Sequence, residues 1–150
     1  MKKFVMAFTL LAFLLSSCKK SSTNNTACTL SGAALAGSWA FTSATYKRTP
    51  SSPSVDIYHD NNWFYACERD DYTTFNANGT YTYVDAGVQC TPVGTVNGTW
   101  TLTGNVLNTS NANGVKAANP ISNFDCNQMV FTYNSYDTTG DQAIITYIKR

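Results

Sequence analysis

Few side chains in this sequence have the types and spacing that chemistry requires. Residues 68–71 hold three carboxylates, and neighbouring carboxylates can bind calcium or act as acid and base. No further ligand spacing accompanies them, so the pattern favours a solvated turn at the start of a strand. His59, the one histidine, has Asp56 and Asp60 nearby, but no serine stands in a nucleophile-elbow pattern. We therefore predict a protein that is not an enzyme, with no metal site and no cofactor.

Composition argues against nucleic acid as a partner. The chain has 150 residues, enough for one ordinary domain, and only 13% of them are charged. Ten Lys and Arg against nine Asp and Glu leave a net charge of +1. General nucleic-acid binding needs clustered positive charge, which this sequence does not have.

The first residues have the pattern of an export signal. A basic pair at residues 2–3 precedes the apolar run 4–15, which is too short to cross a bilayer as a helix. Leu15-Ser16-Ser17-Cys18 follows and resembles the lipobox of bacterial lipoproteins. The resemblance implies that residues 1–17 are a lipoprotein signal peptide and that Cys18 carries a lipid anchor. The alternative is a plain secretory signal with a chance cysteine.

The residues after Cys18 predict a tether and then one domain. Between residues 19 and 27 no apolar side chain is larger than alanine, so residues 18–27 are predicted to be a flexible, lipid-anchored tether. The folded domain is then 28–150. The tether begins with Lys19 and Lys20 and has no acidic run, so we expect an anchored envelope protein on the periplasmic face of the outer membrane.

The domain has the composition of β-strands, with Thr, Tyr, Val, Ile and Trp in short runs between Gly, Asn and Pro. Residues 75–81 predict a hairpin with Gly79 in the left-handed conformation, and residues 102–107 predict a second hairpin around Gly104-Asn105. A weaker turn is predicted at 125–127. Eight strands result, at 38–46, 71–76, 80–85, 97–103, 106–109, 119–124, 128–134 and 142–149.

The connections between these strands alternate in length. Segments 47–70, 86–96, 110–118 and 135–141 are long, whereas the three predicted turns are short. In an up-and-down meander, alternate connections lie at alternate ends, so the long loops share an open end and the turns share a closed end. The sequence therefore predicts an all-β fold, an eight-stranded antiparallel up-and-down barrel.

A family resemblance agrees with this fold. Leu35-Ala36-Gly37-Ser38-Trp39 matches the Gly-x-Trp motif of lipocalins, in which a short helical turn before the motif closes the barrel base; Ala33 to Gly37 could supply that turn. The stretch 35–150 resembles the lipocalin-like domain of Bacteroidetes-type envelope lipoproteins. An arginine covers the motif's tryptophan in that family, and Lys149 or Arg150 could replace it here. The other matching residues are Cys67-Glu68-Arg69-Asp70-Asp71, Phe75 to Tyr81, Gly98 to Leu102 and Thr146 to Lys149.

The cysteines predict two disulfides. The sequence has five, and a lipidated Cys18 leaves four in an exported chain. The hairpin register brings Cys67 close to Cys90 at the open end, while Cys28 and Cys126 lie at the closed end. The pairing that avoids crossing the barrel joins Cys67 to Cys90 and Cys28 to Cys126. A thiolate metal site is the alternative, and the oxidising compartment disfavours it.

The most informative segment for function is the longest loop, which places four aromatic residues at the open end: Tyr58, Trp63, Phe64 and Tyr65. Clustered exposed aromatics mark contact surfaces, so these four are the predicted ligand-binding residues. The leading function is binding of a small hydrophobic or amphipathic molecule. In the alternative, the aromatics plug a filled barrel, and the protein is a structural or interaction module of the envelope.

Overall fold

The computed structural model describes residues 28–92 and 94–150. The predicted signal peptide 1–17 and tether 18–27, with the lipid-attachment residue Cys18, lie outside the described residues. The elements in chain order are α1 Gly32–Leu35, β1 Gly37–Lys47, β2 Val55–Asp56, a 3-10 helix Ala66–Glu68, β3 Tyr72–Phe75, β4 Thr80–Val84, β5 Val96–Thr103, β6 Val106–Asn111, β7 Lys116–Phe124, β8 Gln128–Asn134 and β9 Gln142–Lys149.

Eight of these strands form a closed antiparallel barrel, which confirms the predicted fold class. The order is β1-β3-β4-β5-β6-β7-β8-β9, and pairing of β1 with β9 closes the ring. The first half of β1 pairs with β3, and the short β2 pairs with its second half on the same edge. This extra two-residue strand lies within the predicted loop 47–70.

The two sharpest turns set the register that the sequence predicts. Phe75 lies opposite Tyr81 and Thr73 opposite Tyr83, with Gly79 at a φ of 84°. Leu102 lies opposite Leu107 across the Gly104-Asn105 turn. Glycine suits these turn positions because it adopts positive φ without a Cβ penalty.

Two β-bulges change which residues face inward. In β1 the register shifts between Phe41 and Ser43, so Thr42 is the extra residue. Trp39 and Phe41 are buried before the bulge, and Ala44 is buried after it. A second shift, between Ile121 and Asn123 in β7, makes Ser122 the extra residue and lets both Ile121 and Phe124 pack against the core. After each bulge, the inward-facing residues therefore fall on the other set of alternate positions along the strand.

The closed end is filled by side chains from α1, β1 and β9. Ser31 caps α1 by accepting a hydrogen bond from Ala34 N. The buried Trp39 donates its indole N–H to Leu35 O at 2.7 Å. Lys149 Nζ lies 5.3 Å from the centre of the Trp39 ring and donates to Ala34 O at 2.9 Å. These contacts join α1 to the start of β1 and to the end of β9.

One predicted loop is shorter than expected. The sequence predicts a long connection at 110–118, but β6 extends to Asn111 and β7 begins at Lys116, leaving only 112–115. The strand ends were missed because Ser110 and residues 116–118 are small or polar and give no apolar alternation. Their backbones nevertheless pair, as Ser110 with Lys116 shows.

Both ends of the barrel carry a disulfide. Cys28 is joined to Cys126, in the turn after β7, and Cys67 is joined to Cys90, in the connection after β4. These are the two pairs that the sequence predicts. Among the described residues, no helix is long and apolar enough to span a membrane.

Candidate functional site

The barrel encloses a cavity of about 350 Å³, here called the main cavity. Its apolar walls come from four strands, β3, β5, β6 and β8, because alternate residues of each strand point inward. These wall residues are Phe75, Val96, Leu107, Met129 and Phe131. The volume lies in the range of small-molecule sites, about 300–1,000 Å³. The barrel is therefore large enough to hold a small molecule.

Hydroxyl groups interrupt these apolar walls. Tyr133 donates its hydroxyl to Asn119 Oδ1 at 2.8 Å, and Asn119 Nδ2 in turn donates to Leu107 O at 3.1 Å. Tyr81 and Tyr147 also line the main cavity, and their hydroxyls have no hydrogen-bond partner within the described residues. The cavity thus offers both apolar surface and free hydrogen-bonding groups.

The half-buried phenols that line the main cavity stay protonated at ordinary pH. Burial raises the pKa of Tyr147 to about 12 and also raises the pKa of Tyr81 and Tyr133. Burial, followed by the hydrogen bond to Asp71, raises the pKa of Tyr83 as well. All four side chains are therefore neutral, and Tyr81 and Tyr147, whose hydroxyls have no partner among the described residues, can donate to a ligand.

A smaller pocket of about 160 Å³, here called the side pocket, adjoins the main cavity. Thr73, Tyr83 and Tyr147 line both spaces and form the boundary between them. Phe64, from the loop after β2, and Phe41, from β1, supply aromatic surface on the far side of this boundary. The two spaces are therefore neighbours that share three side chains.

The four predicted ligand-binding aromatics do not form one cluster. Tyr58 packs edge-on against Phe41 with ring centres 4.7 Å apart, and Phe64 packs on the same ring at 4.8 Å. Tyr58 also donates its hydroxyl to Arg69 O at 2.9 Å. Tyr58 and Phe64 are therefore part of the packed barrel, and only Phe64 of this pair lines the side pocket.

The other two aromatics point to different places. Trp63 packs against Tyr46 with ring centres 5.0 Å apart and stacks on Tyr136 at 6.0 Å. Tyr65 is 66% exposed and lies beside the Cys67–Cys90 disulfide. None of the four predicted residues lines the main cavity, whose lining comes from strand residues.

Three buried carboxylates hold the open-end loops. Asp141 accepts hydrogen bonds from the amides of Tyr136, Asp137 and Thr138 and from the Tyr46 hydroxyl. Burial by itself raises the pKa of Asp141, but these donors outweigh it and lower the pKa to about 2. The carboxylate therefore stays ionised and ties the last loop to β1.

Asp85 and Asp71 act in the same way on the open-end loops next to β3 and β4. Asp85 accepts from Cys90 N at 3.1 Å and from Gly94 N at 2.9 Å. Asp71 accepts from Ala86 N at 2.9 Å and from the Tyr83 hydroxyl. Each of the three aspartates adjoins a strand that borders a long open-end loop, and this position is the sequence signal that could have identified them.

The acidic segment 68–71 is only in part the solvated turn that the sequence predicts, since Glu68 is half-buried. Asp70 is exposed, but Asp71 is only 2% exposed because its side chain turns inward to meet Tyr83. His59 is exposed and contacts Asp56 Oδ2 at 2.7 Å. Within residues 28–92 and 94–150, no three His, Cys, Asp or Glu side chains are grouped to hold a metal ion.

Comparison with known proteins agrees with this barrel. The sequence profile of the lipocalin-like domain matches residues 35–131. The chain belongs to the lipocalin-like domain family. Among solved structures, this lipocalin-like chain is similar to a lipocalin-like protein from Bacteroides uniformis ATCC 8492, with 14% identity, a TM-score of 0.47, and coverage of 78% of this chain and 99% of that one. No curated protein matches.

Lys149 occupies the position that the lipocalin-like resemblance implies for a basic residue. It covers Trp39 of the Gly-x-Trp motif, whereas Arg150 lies over Tyr72, 4.4 Å from the ring centre. The resemblance allows either Lys149 or Arg150 in this position, and in the structure Lys149 is the residue that covers Trp39.

Proposed function

We propose that this lipocalin-like domain binds a small apolar or amphipathic molecule in its main cavity. The observation that carries the proposal is the cavity of about 350 Å³ itself, whose lining combines apolar walls with free hydroxyls. Small-molecule sites in proteins have this composition, mostly apolar with a few placed polar groups. The proposed binding is non-catalytic, in keeping with a family whose members are generally binding proteins.

A fluorescent probe tests this proposal directly. N-phenyl-1-naphthylamine is an uncharged dye whose emission rises in apolar surroundings. We expect saturable binding to the wild type and loss of that binding in Thr109→Trp, because residue 109 lines the main cavity. Asn108→Trp is the matched control, since its neighbouring position lies in a groove on the outer face of β6.

The controls separate loss of the site from loss of the fold. Circular dichroism and urea unfolding should show both tryptophan variants folded. Binding that survives Thr109→Trp would place the probe outside the barrel. A wild type that binds none of a panel of apolar probes would support the filled-barrel alternative.

A second candidate function is an interaction module of the envelope. Its support is an apolar surface beside the open-end disulfide, where Tyr65 is 66% and Val88 70% exposed. Exposed apolar groups of this kind can contact a protein partner. A Tyr65→Ser/Val88→Ser variant that keeps probe binding but loses a cross-linked envelope partner would support this role.

We further propose that Cys18 anchors the protein through lipid in the outer membrane, on the periplasmic face. The support is the lipobox-like segment at 15–18 with its basic and apolar flanks. Cys18→Ala should release the protein from membranes, and the wild type should carry acyl chains by intact-mass measurement. Digestion of intact cells with protease should leave it uncut, and cleavage there would instead place it on the cell surface.

A further inference from the structure

The side pocket differs in chemistry from the main cavity. Aromatic residues make up most of its lining, and Glu68, Asp71 and Thr73 complete it. No Lys, Arg or His among the described residues lines either space. The aromatic residues of the pocket are Phe41, Phe64, Tyr72, Tyr83 and Tyr147.

The buried carboxylate in this pocket has no counter-charge from the described residues. Asp71 is 2% exposed, and its partners are a neutral hydroxyl and an amide. The adjacent Arg69 is held elsewhere, since its guanidinium donates to Tyr58 O at 2.7 Å and to Phe64 O at 3.0 Å. Removing a carboxylate from water without an opposite charge is costly, so a cation in the pocket would be favoured.

Aromatic faces and carboxylates together are the groups that recognise an ammonium ion. The ring quadrupole attracts a cation placed over its face, and the attraction is stronger when water is excluded. An anion would meet two negative charges here and no positive one. The pocket of about 160 Å³ has space for a head group but is less than half the volume of the main cavity.

We propose that the side pocket receives the ammonium group of an amine-bearing amphiphile whose apolar part lies in the main cavity. This inference rests on the proposed binding function and specifies its ligand class. Tyr147 lines both spaces, and its hydroxyl, unpartnered among the described residues, can accept a hydrogen bond from the ammonium group.

Three ligands with the same chain and different head groups test the proposal. Decylamine, decanol and decanoate each compete with bound N-phenyl-1-naphthylamine at pH 7, below the concentrations at which they take up the dye without protein. We expect decylamine to displace the dye at a concentration about tenfold or more below that of decanoate, with decanol between them.

Glu68→Gln identifies the source of the preference. Glutamine keeps an oxygen that can accept the hydrogen bond from Tyr65 N, now at 2.8 Å, but removes the charge. The preference for decylamine over decanol should shrink by about threefold or more. Asp137→Asn removes the same charge from an exposed position that lines neither space, so it should leave the preference unchanged.

The possible failures are distinguishable. Equal displacement by the three ligands, or strongest displacement by decanoate, would overturn the amine assignment while the cavity function stands. An equal loss of preference in Glu68→Gln and Asp137→Asn would also overturn it, because the effect would then be one of net charge. A wild type that binds no dye would contradict the cavity function and this inference with it.

Discussion

Removal of each disulfide should affect stability and ligand binding differently, because the two bonds lie at opposite ends of the barrel. Cys28–Cys126 joins the segment before α1 to a closed-end turn, whereas Cys67–Cys90 joins two open-end loops. The perturbation is a pair of double variants, Cys28→Ala/Cys126→Ala and Cys67→Ala/Cys90→Ala. Each serves as the control for the other, since both remove one covalent link.

The expected stability losses follow from the lengths of chain that each bond closes. The sequence separations are 98 and 23 residues. In the chain-entropy model, closing loops of these lengths contributes about 4.7 and about 3.4 kcal/mol to the free energy of unfolding. The closed-end variant should therefore lose more stability, by about 1.3 kcal/mol, through the greater freedom of its unfolded chain.

Ligand binding should respond in the opposite order. Cys67 lies in the 3-10 helix next to Glu68, which lines the side pocket, and Cys90 donates its amide to the loop-organising Asp85. Removing this bond loosens the loops at the mouth. Cys28 and Cys126 line neither space, so their removal should leave the affinity of the folded protein for N-phenyl-1-naphthylamine unchanged.

The assays are urea unfolding, extrapolated linearly to water, and dye titration of the folded variants. The m-values must agree between variants if their free energies are to be compared. A larger stability loss in the Cys67→Ala/Cys90→Ala variant would refute the loop-length reasoning. A larger affinity loss in the Cys28→Ala/Cys126→Ala variant would refute the expectation that the loops joined by Cys67–Cys90 influence the binding site.

Three further perturbations test the framework around the site. Lys149→Ala removes a hydrogen bond to α1 and a cation over the buried indole, so urea unfolding should show a loss of about 1–3 kcal/mol, with less in Lys149→Arg. Asp141 has a pKa lowered from 3.8 to about 2, so its contribution to stability is present above pH 4 and is lost as pH falls towards 2; Asp141→Asn should flatten that part of an acid-unfolding profile. Gly98→Ala should cost about 1–3 kcal/mol, because a Cβ would overlap Ser110 O, whereas Gly94→Ala has space and should unfold like the wild type.

Local turn chemistry made the fold predictable from the sequence. A two- or three-residue turn with glycine at a positive-φ position fixes which residues of its two strands face each other. Gly79 and Gly104 therefore determined the pairing of β3 with β4 and of β5 with β6. The alternation of short and long connections then indicated which loops lie at the same end of the barrel. Cysteines at the same end could then be paired.

Features that depend on tertiary context were not predictable in the same way. The bulges at Thr42 and Ser122 leave no local signature, yet they decide that Ala44 and Phe124 face inward. The burial of Asp71 depends on Tyr83, twelve positions away along the chain, which supplies its hydroxyl. Predicting either feature requires knowing which strands are neighbours and how their side chains fill the interior.

The main cavity and the packed aromatic loop can coexist because the width of the barrel and the size of the side chains inside it are set separately. An eight-stranded barrel has an interior whose width is set by strand number and stagger, and side chains fill it to different degrees along its length. Trp39 and Leu35 fill the closed end, whereas the smaller side chains of Thr73, Thr109 and Asn119 leave space farther from that end. The loop aromatics pack on the Phe41 and Tyr46 side of that space, so covering the barrel does not require filling it.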